Sequence, residues 1–76
     1  MEKRLSEIEK RCVAKIVGIS GDVHLRRRLY ELGFVEGEKV KILSVSPLKN
    51  SFLVSVKNYC LALRKNILNN VVVIES

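Results

Sequence analysis

Apolar side chains recur along this chain with two different periods. Between Asp22 and Gly33, Leu25, Leu29 and Leu32 stand at i, i+4 and i+7, which is one face of a helix. Arg26, Arg27 and Arg28 occupy its other faces. Asp22 is placed to cap the first turn, its carboxylate accepting from free amide N–H groups, and Gly33 to end the helix in a left-handed conformation. Elsewhere the period is two. Cys12 to Ile19 is β-rich and ends at Ser20-Gly21-Asp22; Ile16 and Ile19 share a face only if Gly18 marks a bulge or bend. Lys39-Val40-Lys41-Ile42 alternates strictly, after a turn at Glu36-Gly37 whose glycine needs positive φ. Pro47 to Asn50 is a loop. Ser51 to Lys57 alternates again, with Phe52, Val54 and Val56 inward, and Asn58-Tyr59 turns the chain. In Cys60 to Arg64 the arginine marks the wet face, so Leu61 and Leu63 point in. Lys65 to Asn70 has room for one helical turn before a last strand, Val71 to Glu75, with Val72 and Ile74 inward. Met1 to Arg11 is charged, and its i, i+3 pair Leu5 and Ile8 can seat one helical turn.

The order is strand, helix, then four short strands. An open sheet of this length would leave its edges exposed, so closing five strands into a small barrel is the economical solution. An OB-fold usually places its helix between the third and fourth strands. Here the helix lies between the first and second, which predicts a mainly β, SH3-like five-stranded barrel. Its core should hold Ala14, Ile16, Ile19, Leu29, Leu32, Val40 and Ile42, then Phe52, Val54, Val56, Leu61, Leu63, Val72 and Ile74.

Composition narrows the function. With 76 residues, 47% of them hydrophobic, the chain can bury a core, and residues 1–76 are expected to form one domain with 1–11 as a charged lead-in. No apolar run approaches the ~20 residues a bilayer span needs, and Met1 to Leu5 lacks the apolar region of a secretory signal. Two cysteines far apart form no disulfide framework. The expectation is a cytoplasmic protein with no membrane insertion and a formal charge of +6.

The run from Arg28 to Gly37, Arg-Leu-Tyr-Glu-Leu-Gly-Phe-Val-Glu-Gly, resembles the signature of the small FeoA proteins of prokaryotic ferrous-iron uptake. Three further segments keep register with that family: Lys15-Ile16-Val17-Gly18-Ile19, Ser46-Pro47-Leu48 and Leu61-Ala62-Leu63-Arg64. Together they cover about Lys15 to Ile74. Glu36 stands where the family usually has proline, and Lys49-Asn50-Ser51 replaces its common Gly-Asp-Pro. The resemblance implies an SH3-like barrel and a cytoplasmic accessory role. It also implies a partner, the cytosolic G-protein region of the ferrous-iron permease FeoB. The same module occurs in metal-dependent repressors, but no DNA-binding helix-turn-helix precedes it here.

Nothing in the chain is a catalytic constellation, so no enzyme and no cofactor are expected. His24 is the single histidine, and with Cys12 and Cys60 it lacks the two close ligand pairs of a zinc site, so no metal site is assigned. The glycines form no nucleotide-binding motif. Arg26-Arg27-Arg28 reads either as a solvated face, with Arg27 beside Glu31, or as a docking patch for an acidic partner. A sharper version makes one arginine a finger in the permease's G-protein site. A basic small barrel that binds nucleic acid is the competing class, with few aromatics to stack bases. A weak homo-oligomer stays open. The partner-binding surface is assigned to Arg27, Arg28, Tyr30, Phe34 and Glu36, with Arg64 as a neighbour. Phe34 either adds apolar area to that surface or plugs the barrel end.

Overall fold

The computed structural model describes residues 1–75. Among them six strands form one antiparallel sheet: β1 (Glu2–Arg4), β2 (Val13–Ile19), β3 (Lys39–Val45), β4 (Ser51–Val56), β5 (Tyr59–Arg64) and β6 (Val71–Glu75). Their spatial order is β1-β6-β2-β3-β4-β5. A 3₁₀ turn (Leu5–Glu7) follows β1, helix α1 (Val23–Glu31) joins β2 to β3, and a short helix α2 (Lys65–Leu68) joins β5 to β6. The sheet is mainly β and SH3-like as expected. Because β1 precedes the five expected strands, the helix lies between the second and third.

The charged lead-in is therefore part of the fold. Glu2, Lys3 and Arg4 pair with Ile74, Val73 and Val72. The Lys3 ammonium sits 2.8 Å from the Glu75 carboxylate, and the hydrogen bond they share holds its pKa above the ordinary lysine value. Leu5 and Ile8 enter the core from the turn that follows, which the Glu7 carboxylate braces by accepting from the Arg4 N–H at 2.8 Å. A row of charges carries no apolar alternation, but backbone pairing does not require one.

Register decides which face of each strand is inside. β2 turns Ala14 and Ile16 inward; its register with β6 then slips between Ile16 and Gly18, so the bulge lets Ile19 pack on the same core. Ile16 opposes Val73 and Lys15 opposes Ile74. Cross-strand partners share a face, so Val71 and Val73 are the buried residues of β6. Val72 and Ile74, expected inward, are only half-buried on the other face. Four consecutive aliphatics contain no period, and only the partner strand fixes their parity.

Two smaller corrections concern β5. The turn before it is Lys57-Asn58, with Lys57 at φ 54°, and Tyr59 already belongs to the strand. Leu61 and Leu63 pack against the core but stay half-buried, because β5 is an edge covered from one side. Leu32 and Ile19 are likewise half-buried. The core gains Leu68 and Phe34.

Helix α1 begins and ends as its sequence dictates. The Asp22 carboxylate accepts from the Leu25 N–H at 2.8 Å. At the other end Gly33 takes φ 104°, its N–H donates to Tyr30, and the Phe34 N–H donates back to Leu29. This pair of bonds is a Schellman motif, which brings the residue after the glycine onto the last turn of the helix. Phe34 accordingly lies over Leu29 in the core, fully buried.

Candidate docking surface

Helix α1 uses Leu29 for the core and leaves most of its circumference outside. Arg26, Arg27 and Arg28 are all exposed, and Tyr30 is 42% exposed. The expected Arg27–Glu31 pair does not form. Among the described residues the two ion pairs are Lys3–Glu75 and Lys57–Glu38, and neither involves an arginine. The guanidinium groups therefore keep their full capacity to bind acceptors on another molecule.

These side chains sort into two groups. On the outer side of α1, Arg26, Arg27 and Tyr30 surround exposed Val23 and adjoin Glu31. On the other side, a groove of about 310 Å³ separates α1 from β5 and α2. Leu25, Leu32, Leu63 and Ile67 give it an apolar lining, Ala62 lies along its edge, and Arg28 and Arg64 stand at it from opposite elements. Of the six residues assigned from the sequence, the fold thus brings Arg28 and Arg64 to one groove and Arg27 and Tyr30 to one face. Glu36 is exposed in the turn before β3 and lines neither. Phe34 is buried, so its side chain offers nothing to a partner. Sequence reasoning missed the groove itself. Leu25, Leu29 and Leu32 share one face of the helix, and local spacing does not say that the barrel encloses Leu29 while Leu25 and Leu32, a turn to either side along the axis, stay half-buried.

The potential metal ligands stay apart. His24 is exposed in the first turn of α1, Cys12 is half-buried just before β2, and Cys60 is exposed on β5. Among the described residues no group of three or more His, Cys, Asp or Glu side chains converges. A tight transition-metal site needs such convergence. Anaerobic titration of the metal-free protein with Fe²⁺ is therefore expected to give no tight one-to-one complex. Stoichiometric binding lost on changing Cys12, His24 or Cys60 would contradict this.

The FeoA domain model matches residues 3–75. The chain belongs to the FeoA family. Among solved structures, the FeoA-like protein of Clostridium acetobutylicum superposes with a TM-score of 0.90 at 26% identity, covering 97% of this chain and 86% of that one. FeoA of Stenotrophomonas maltophilia superposes with a TM-score of 0.81 at 33% identity, over 97% of this chain and 89% of the other. That protein is a prokaryotic SH3 domain protein and was solved as a zinc complex. A relative from Porphyromonas gingivalis is 32% identical over 62 residues, 82% of this chain. It is a fusion of Fe(2+) transport protein A with the Fe(2+) transporter FeoB, and this chain spans 7% of its length. The family is linked to ferrous-iron transport. No helix among the described residues is long and apolar enough to cross a membrane.

FeoA membership also makes sense of the central loop. Lys49, standing where the family commonly has glycine, holds φ 59°. The Ser46 hydroxyl stabilises that turn by accepting from the Asn50 and Ser51 N–H groups at 3.2 and 3.1 Å.

Proposed function

We propose that this FeoA protein is a cytoplasmic, non-enzymatic accessory module of ferrous-iron uptake that docks on the cytosolic G-protein region of the FeoB transporter. The observation that carries the reading is the Porphyromonas gingivalis fusion, in which a region like this chain is covalently part of a FeoB polypeptide. A fused pair is a pair held at high effective concentration, which is useful where the two parts act together. The surface agrees with a protein partner. Arginines with no ion-pair partner among the described residues flank apolar side chains on α1, a composition suited to an interface. A stacking platform for nucleic acid has little to draw on. Phe34 and Phe52 are in the core, and the Tyr59 hydroxyl is engaged by the Leu32 carbonyl.

The test is binding of the full chain to the isolated cytoplasmic region of the transporter from the same organism. Changing Arg27 and Arg28 together to Glu is expected to leave the melting temperature within about 8 °C, because exposed charges contribute ~1 kcal/mol or less. Binding should weaken at least tenfold, mainly through slower association and an altered salt dependence. Unchanged binding and iron uptake in the folded double variant would move the contact off α1. Recovery of RNA without transporter, from the native cytoplasm and membranes, would favour the nucleic-acid reading.

A further inference from the structure

The groove beside α1 runs along an unpaired sheet edge. Among the described residues β5 is the last strand of the sheet, paired with β4 alone. Its two-residue turn closes on the Val56–Tyr59 pair, so ladder bonds fall on Tyr59, Leu61 and Leu63. The N–H and C=O groups of Cys60, Ala62 and Arg64 consequently point away from β4. Proteins usually blunt such an edge with several charges, a proline or a covering element. β5 reads Tyr-Cys-Leu-Ala-Leu-Arg and has one charge, at its end. The helix beside it, α1, is tied to β5 at its C-terminal end and is separated from it by the groove along the rest. There the Tyr59 hydroxyl donates to the Leu32 carbonyl. What remains is the apolar groove, with Arg28 and Arg64 at its margin and, among the described residues, no carboxylate paired to either.

We propose that this groove takes an extended segment of a protein partner, which adds as a seventh strand on the outer edge of β5. Backbone bonds to Cys60, Ala62 and Arg64 would hold the segment, the mode known as β-augmentation. Alternate side chains of an added strand point to opposite faces. An apolar residue of the segment then enters the gap lined by Leu25, Leu32 and Leu63, while acidic residues meet Arg28 and Arg64. The acidic character follows from charge complementarity to two guanidiniums that have no ion-pair partner among the described residues, on a chain of net charge +6. The same argument disfavours a second copy of the chain paired edge to edge, which would bring two basic margins together. The inference rests on the docking function above and names the chemistry of the segment that docks.

Two probes are titrated into the isotope-labelled full chain: the end-blocked synthetic peptide ELEVELE, and the transporter's cytoplasmic region. The peptide is expected to bind, to slow hydrogen exchange at the Cys60, Ala62 and Arg64 amides, and to be at least tenfold tighter than KLKVKLK. Ala62→Pro removes the central outward N–H while sparing every ladder bond of β5, a position where edge strands accept proline. It should weaken both probes at least tenfold, whereas Ala62→Val, which keeps the N–H, should change them less than threefold. If the transporter region binds wild type and Ala62→Pro equally, docking stands and the strand site is overturned. If ELEVELE behaves as expected and the transporter region fails to bind wild type, the docking function falls and the strand site stands. Self-association that protects the β5 amides would also overturn the proposal. Should Ala62→Pro not fold, exchange protection of those three amides in the wild type decides the matter.

Discussion

Deleting residues 1–11 is expected to unfold this domain, not to trim a tail from it. The segment supplies β1, the strand that pairs with β6 on the side away from β2. It also supplies Leu5 and Ile8, both buried. Removing one large aliphatic from a core costs roughly 2–5 kcal/mol, because the lost contacts leave a cavity. Two such losses approach or exceed the total stability of a small domain, about 5–15 kcal/mol. The deletion also takes away the Ser6 hydroxyl that meets the Asn69 side chain beside α2, and the Lys3–Glu75 pair. Those polar contacts are exposed or part-exposed and contribute little. The decisive term is apolar. A control variant with Glu2, Lys3 and Arg4 all changed to Ser keeps the backbone pairing and both aliphatics, and should stay folded. Circular dichroism melts of the two proteins check this. A cooperative melt of the deleted chain within a few degrees of wild type would show that residues 1–11 are dispensable.

The lead-in also shows where the sequence stops being legible. Its charges hid a strand, since β1 is held by backbone bonds to β6 and by the two aliphatics after it, and neither produces alternation. Elsewhere the period was clear wherever polar and apolar residues took turns. Val40 and Ile42, and then Phe52, Val54 and Val56, are buried as their patterns require. The three-residue spacing of Ile16 and Ile19 correctly demanded a bulge near Gly18. Alternation failed at Val71 to Ile74, where every position is aliphatic and only the register with Ile16 selects Val71 and Val73.

The candidate site was legible in part for a similar reason. That Arg26, Arg27 and Arg28 face outward follows from one helical period, and the structure exposes all three. That Arg28 and Arg64 stand at one groove depends on how α1 lies across β5, a long-range arrangement that no local spacing encodes. The groove survives because α1 is short. Nine residues give it about two and a half turns, enough to bury Leu29 while Leu25 and Leu32 remain at its flanks. The same shortness that limits the helix's hold on the barrel leaves apolar surface for a partner.

Phe34→Ala is expected to destabilise the fold as strongly as any single change outside the sheet. Its place was open to argument from hydrophobicity alone, which allows a phenylalanine after a helix to be either a plug or an exposed anchor. The capping geometry removes the ambiguity. Gly33 at φ 104° lets the Phe34 N–H reach back to the Leu29 carbonyl at 2.9 Å, and that bond carries the ring onto the residue with which the helix is anchored. Phe34 is fully buried and is the largest side chain so enclosed. Losing it costs roughly 3–5 kcal/mol by the usual cavity relation. In a domain of this size that lowers the melting temperature by at least about 12 °C. The variant should also release the end of α1 from the barrel, so the Tyr59–Leu32 tie and the groove beside it should be lost together. Partner binding would then fall along with stability, in contrast to the Arg27 and Arg28 reversal, which should weaken binding in a folded protein. Thermal melts and binding measured on both variants separate the two effects. A Phe34→Ala protein that melts like wild type yet fails to bind would return the ring to the docking surface.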